Sequence, residues 1–220
     1  MINSFDRNTS QRDTKTDDFS SSKMQMELAT KLLFSGLDKG YINREGNAVL
    51  QVRPNKTLTL QEVYEYIVSD DAKEATNQLR QISEHKKAQE FKKLNFRLAL
   101  FGGVFSKRKA NALAQASGAM VIDIDDLESQ EEVNHVIDLL IHDPRLKVLL
   151  CFRSPSGNGV KCVILIDTTK NLQYKEYFGQ VYRQILFEHG IKIDTSGSDI
   201  CRACYLPHDP ECYINPLFLT

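Results

Sequence analysis

No stretch of this 220-residue chain approaches the roughly 18 consecutive apolar residues of a membrane span, so no membrane partner is expected. The opening residues, MINSFDRNTSQRDTKTDD, lack the apolar segment of a secretory signal, and the cytoplasm is the expected location. Excess charge is also missing. With 28 Lys and Arg against 29 Asp and Glu, the net charge is −1. That excludes a strongly basic nucleic-acid binder at the level of the whole chain and leaves a local basic patch open. The five cysteines are odd in number and irregular in spacing. Cys151 and Cys162 lie in apolar runs and read as buried thiols. Cys201 and Cys204 have CxxC spacing, with His208 and Cys212 nearby, but Arg202-Ala203 is not the glycine-rich turn of a zinc knuckle, so zinc is the weaker reading. The five histidines, 85, 135, 142, 189 and 208, form no His-hydrophobic-His pair, which discounts a nuclease that needs one.

What is present is ordinary for a globular chain: 41% hydrophobic and 26% charged residues, enough for one domain with an extension. Residues 1–23 are polar, rich in Ser, Thr and Asp, and read as a disordered tail. Residues 24–58 form an N-terminal extension. There Met24, Met26, Leu28, Leu32, Leu33 and Leu37 predict a helix over 24–38, stopped by Gly40. A short strand or hairpin follows around Asn43–Asn47. Thr59 N-caps a helix from Leu60 to about Val68, with Glu62 completing a capping box. Residues 70–93 read as further helix, with Lys86, Lys87, Lys92 and Lys93 on a solvated face. Arg97 to Phe105 is strand-like, broken by Gly102-Gly103, and Ser106–Lys109 opens a short helix through Ala114.

From residue 119 the pattern becomes regular. It gives a strand at 119–125, a helix at 130–142, strands at 147–152 and 160–166, a helix at about 171–188, and short strands at 191–193 and 203–206. The order β-α-β-β-α-β predicts an α+β fold with a ferredoxin/RRM-like antiparallel sheet over about 119–207. Both helices would lie on one face, the first and third strands would be central neighbours, and a helical extension would precede them.

Three segments carry possible chemistry. In Met120-Val-Ile-Asp123-Ile-Asp125-Asp-Leu127, the two acids two apart on a strand share one face. Neighbouring carboxylates repel unless a cation lies between them, and Mg²⁺ or Mn²⁺ suits oxygen ligands. The plainer reading is a strand running into an acidic turn, with Asp126 as a turn residue. Second, the Ser154–Lys161 loop holds Ser156, Gly157 and Gly159, whose backbone N–H groups could approach an anion, and ends in Lys161. A plain hairpin turn uses the same residues. It runs from strand to strand, so it is not a Walker A loop. Third, Asp194 closes the apolar run 191–193 as a third carboxylate or as a turn-initiating residue, and Arg202 suits a phosphate or a surface ion pair. Together they are the equipment of two-metal phosphoryl or nucleotidyl transfer.

The runs SGAMVIDIDDL, FRSPSGNGVKCVILID and IDTSGSDICRACYLPHDP resemble the archaeo-eukaryotic primase superfamily. More narrowly they resemble the VirE N-terminal and BT4734-like primase domains of Bacteroides-type mobile elements. The resemblance covers about residues 59–217, so residues 59–220 are expected to be the primase-like domain. It implies that Asp123 and Asp125 form the metal-binding motif I and that Asp194, after Ile193, supplies the third acid. Ser156, Gly157 and Gly159 match the nucleotide-binding turn, and Arg202 matches an Arg that follows the third acid. Lys161 stands where the family places a His. Lysine binds phosphate as a point charge and cannot replace a neutral imidazole in acid–base work.

The resemblance therefore implies a nucleotidyltransferase that makes or extends primers on single-stranded DNA. Nucleoside triphosphates would be substrates, Mg²⁺ or Mn²⁺ the cofactor, and a helicase in the same or another chain a partner. The competing readings are a non-catalytic single-strand-binding module on a degenerate primase fold and a cyclase with a similar acid set. The first and third strands of the regular region carry no aromatic RRM signature.

Overall fold

The computed structural model describes residues 32–166 and 173–219. The expected tail over 1–23 and the first part of the expected 24–38 helix lie outside them. In chain order the strands are β1 (Leu33–Leu37), β2 (Tyr41–Ile42), β3 (Ala48–Val49), β4 (Lys56–Thr59), β5 (Leu98–Leu100), β6 (Gly103–Phe105), β7 (Leu113–Ala116), β8 (Ala119–Ile124), β9 (Val148–Arg153), β10 (Val160–Leu165), β11 (Cys204–Tyr205) and β12 (Tyr213–Ile214). The helices are α1 (Leu60–Val68), α2 (Lys73–Leu79), α3 (His85–Asn95), α4 (Gln130–His142) and α5 (Tyr174–His189). This is a mixed α/β chain with several antiparallel sheets.

Strand β8 explains the layering. Ala119 and Val121 point one way, and Met120, Ile122 and Ile124 the other, and all five are buried. A strand apolar on both faces needs a cover on each side. On one side Met120, Ile122 and Ile124 join Val133, Val136 and Leu140 of α4 and Phe178, Val181 and Ile185 of α5. On the other, Ala119 and Val121 join Phe34 of β1 and Ala99 of β5, with Leu60, Val63 and Ile67 of α1. The order of layers is therefore sheet, sheet, helix pair. The sheet carrying β8 runs β12-β9-β10-β8, and its partner runs β11-β5-β1-β4. Lys161 sits directly opposite Asp123 in the β8–β10 ladder.

Helix α1 follows its local code. The Thr59 hydroxyl accepts from the Glu62 N–H, and the Glu62 carboxylate accepts from the Thr59 N–H at 2.7 Å. The expected hairpin also forms, with β2 and β3 joined through Asn43.

Several expectations are corrected. The end of the expected 24–38 helix is strand β1, which pairs with β4 and β5. Leu33 and Leu37 fit a helical stripe, but Phe34 and Leu37 are buried on opposite sides of this strand. Long-range pairing decides the outcome. The 70–93 helix is a 3₁₀ turn at Asp70–Ala72 followed by α2 and α3, with a break between them. The expected helix over 106–114 is a 3₁₀ turn at Ala110–Ala112 and then β7. Residues 191–193 are not a strand: one bond, from the Asp194 N–H to the Asp123 carbonyl at 2.7 Å, joins this segment to β8. Consequently β8 has one ladder partner, β10, and lies at the edge of its sheet. The expected strand at 203–206 forms only at Cys204–Tyr205, and it pairs with β5 in the other sheet.

Asp143, just past the end of α4, ties the helix pair together. Its buried carboxylate accepts from the Arg145 Nε at 2.8 Å and pairs with the His189 Nε2 at 2.9 Å. Burial alone would raise its pKa, but the Arg145 and His189 hydrogen bonds outweigh burial and lower it from 3.8 to about 2. A depressed carboxylate stabilises the fold above its unfolded value, and that contribution disappears as pH falls from about 4 towards 2. At about 1.4 kcal/mol per pKa unit, it is worth about 2 kcal/mol. Urea unfolding should therefore show Asp143→Asn less stable than the parent by that amount at pH 7, with the difference shrinking to about a third of it at pH 2.5. A constant difference across this range would contradict the assignment.

Candidate active site

The acids meet where β8 ends. Asp123 shares the inward face with Val121, so its side chain points between the two sheets. Its partner across the ladder, Lys161, is 7% exposed, and its ammonium donates to Asp123 Oδ2. The other oxygen, Oδ1, is buried and has no hydrogen-bond partner. A buried carboxylate oxygen without a donor is costly, and a cation is one of the few groups that can satisfy it.

Asp194 is brought alongside by its own N–H, which bonds the Asp123 carbonyl. Its carboxylate caps the turn Thr195–Ser198, accepting from the Ser196 N–H at 2.9 Å and from the Ser196 hydroxyl. Arg202 Nη2 lies 3.5 Å from Asp194 Oδ2. Burial opposes the charge on Asp194, but the Ser196 bonds, Arg202 and Lys161 hold its pKa below the ordinary value. The turn approaches β8 closely because residue 197 is glycine. A Cβ there would lie 2.7 Å from the Phe178 ring and 3.1 Å from the Val121 carbonyl.

Asp125 lies one step beyond the strand and is exposed. Partial burial, then the Asp123 charge, raise its pKa, and Lys161 partly offsets them. Asp123, Asp125 and Asp194 each offer an oxygen within 4.8 Å of the others, and among the described residues this is the group that could hold a metal ion. Three carboxylates outnumber the Lys161 ammonium and the more distant Arg202 guanidinium, and one Asp123 oxygen lacks a partner. The residues fit one divalent cation with oxygen ligands.

Lys161, expected at the nucleotide, pairs with Asp123. It lies inside the acid cluster as an internal counter-ion. Burial works against its charge, while the Cys204 sulfur, Asp123 and Asp125 favour it, and the balance raises its pKa. Burial pushes the Cys204 thiol up to about 12, so at neutral pH the compensating charge comes from the carboxylates.

A cleft of about 470 Å³ opens over the acids. Asp123, Asp125, Ser156, Lys161 and Arg202 line it, together with Lys92, Arg108 and Tyr205. Gly157 and Gly159 shape its edge and are not among its lining residues. Gly157 has φ +85° and turns against Arg80, and a Cβ on Gly159 would lie 2.5 Å from the Ile124 carbonyl and 3.3 Å from Asp125 Oδ1. The turn is closed by the Ser154 N–H to the Gly159 carbonyl at 2.7 Å. His208, whose ring bonds the Ser69 carbonyl, lies outside the cleft's lining. Lys92, Arg108, Gln89 and Tyr205 are lining residues that the sequence did not single out. Lys92 reads like three neighbouring lysines, and only the placement of α3 separates it from them.

The fold and cleft thus define an acid cluster with an internal ammonium, at the mouth of two packed antiparallel sheets. Residues 91–214 match the family model described as the BT4734-like N-terminal domain, and the chain belongs to that family. No curated protein and no solved structure matches it. No described helix is long and apolar enough to cross a membrane.

Proposed function

We propose that this chain is a primase-like nucleotidyltransferase that synthesises or extends primers on single-stranded DNA, using Mg²⁺ or Mn²⁺. The observation that carries the reading is the meeting of Asp123, Asp125 and Asp194 under a cleft lined with cations. The β8-α4-β9-β10-α5 order, with residues 191–194 beside the free edge of β8, favours a ferredoxin-like, primase-superfamily core. Asp123, Asp125 and Asp194 would hold the metal. When bound, it would supply charge neutralisation at the phosphates and a lowered pKa for the attacking hydroxyl. The chain's own residues do the rest. Lys161 pairs with and orients Asp123, Ser196 and Arg202 hold Asp194, and Ser156 and Arg202 face the space for the nucleotide. The proposed setting is the replication of a mobile element in the cytoplasm, beside a helicase in the same or another chain.

One observation favours a second reading. Lys161 already compensates one ligand carboxylate, as expected of a degenerate site that binds single strands without catalysis. The test is the double variant Asp123→Ala with Asp125→Ala. It should lose Mn²⁺-dependent nucleoside triphosphate binding, and primer extension should fall by at least about a hundredfold, the scale of removing a key transition-state charge partner. Undiminished extension would refute the proposal. Metal-independent binding of single-stranded DNA without any extension by the parent would favour the second reading.

A further inference from the structure

Four cations line the cleft: Lys92, Arg108, Lys161 and Arg202. Two are engaged. Lys161 bonds Asp123, and Arg202 reaches Asp194. The other two have no carboxylate at ion-pair distance among the described residues. Lys92 comes from the last turn of α3 and is half-buried. Burial, then repulsion from Lys161, lower its pKa, while Asp125 and Asp123 act in the opposite sense. Its neighbour Lys93 behaves differently and turns to the Ala48 carbonyl.

Arg108 is anchored by its main-chain N–H, which bonds the Val52 carbonyl at 2.8 Å. Its charge acts on Cys201 and Tyr205, both of which line the cleft. Asp199, the remaining acid of the lining, accepts from the Cys201 N–H. The cleft therefore holds carboxylates suited to a cation and, besides the engaged Lys161 and Arg202, two cations with no carboxylate at ion-pair distance among the described residues. A half-buried ammonium with no counter-ion is poorly placed unless an anion joins it.

The molecule that suits both sets of residues carries several negative oxygens. Some would share a divalent cation with the carboxylates, and others would meet Lys92 and Arg108. A polyphosphate chain supplies enough anionic oxygens to meet a cation and both basic side chains at once, whereas a single carboxylate supplies two. A cleft of about 470 Å³ has the volume of an ordinary small-molecule site.

We propose that Lys92 and Arg108 are the polyphosphate-binding residues of this cleft, and that the phosphate tail lies against α3 and the 106–109 segment rather than in the Ser156–Lys161 turn. The inference rests on the nucleotidyltransferase reading for its biological ligand, and it adds the residues and wall that receive the triphosphate. Lys161 is then a positioning residue for Asp123 and does not grip phosphate itself.

The test is calorimetric titration of inorganic tripolyphosphate, with and without Mn²⁺, into the full chain. The variants are Lys92→Met, Arg108→Met, both together, and Lys86→Met. Lys86 is an exposed lysine of the same helix that does not line the cleft. Single changes at Lys92 and Arg108 should weaken binding about tenfold each, on the scale of one charge-assisted contact, and Lys86→Met should not change it. Circular dichroism and urea unfolding show whether each variant is folded. Should Lys92→Met or Arg108→Met unfold, the conservative Lys92→Gln and Arg108→Gln take its place. Parent-like affinity in the folded double variant overturns the proposal. So does equal weakening by Lys86→Met, or no tripolyphosphate binding by the parent. Failure of the polymerase reading looks different: tripolyphosphate binding intact and sensitive to Lys92, with no primer extension by the parent.

Discussion

Lys161→Met should unfold about 3–5 kcal/mol more easily than the parent in urea, and Mn²⁺ should stabilise the variant more than the parent. The size follows from removing one member of a buried ion pair. The two side chains are 9% and 15% exposed, and Asp123 Oδ1 already lacks a partner. Methionine fills a similar volume without supplying charge. The carboxylate is then buried with neither oxygen compensated, beside Asp125 and Asp194. A divalent cation binding the folded state can restore what the ammonium supplied, and stabilisation by a ligand grows with its affinity for the native form. The same variant should therefore bind Mn²⁺ more tightly, because the competing positive charge is gone. Equal stabilisation of parent and variant by Mn²⁺ would show that no cation shares this site with Lys161.

The second large effect lies at Asp209. Its carboxylate, 3% exposed, accepts from the Arg153 N–H at 2.7 Å and from the Arg153 Nη1 at 2.9 Å. It also accepts from the Glu211 N–H, while its own N–H bonds the Ile67 carbonyl at the end of α1. One residue thus joins α1 to the last position of β9, where the Ser154–Gly159 turn begins. Asp209→Ala strands a backbone donor and removes the main counter-ion of a mostly buried guanidinium. Glu211 and Asn134 still hold the Arg153 Nη2, which places the expected loss near the lower end for such pairs, about 3 kcal/mol. Asp209→Asn keeps an acceptor for the Arg153 N–H and should lose about half as much. Urea midpoints of the two variants check this. Parent-like stability of Asp209→Ala would mean that Glu211 alone supports Arg153.

Legibility in the sequence tracked locality. The capping box of Thr59 and Glu62 involves residues three apart and is legible to the residue. Helix α4 and strands β8, β9 and β10 announce themselves by apolar period, and their bounds lie within a residue or two of the expectation. Strand β1 did not, because its identity depends on Lys56–Thr59 and Leu98–Leu100, each far along the chain. The run 191–193 has strand-forming residues but makes a single ladder-like bond, so propensity outran pairing there. At the site, the DxD spacing placed Asp123 and Asp125 together, and a turn-forming Asp194 reaches them through a backbone bond. The spacing could not reveal that Lys161 faces Asp123, since register between β8 and β10 is set by their packed faces. Nor could it distinguish Lys92 from Lys86, Lys87 and Lys93. Helix identity is local, and the orientation of α3 towards the cleft is not.

The segment from Asp194 to Tyr205 begins against β8 and ends as β11, so it crosses from one sheet to the other. It carries Asp194 at one end and Arg202 near the other, and Arg202 folds back to Asp194, so the segment bridges the two sheets beside the acids. Lengthening it by a residue would change the gauge of the cleft while sparing every strand pairing. Such an insertion is a way to retune the size of the ligand without redesigning either sheet.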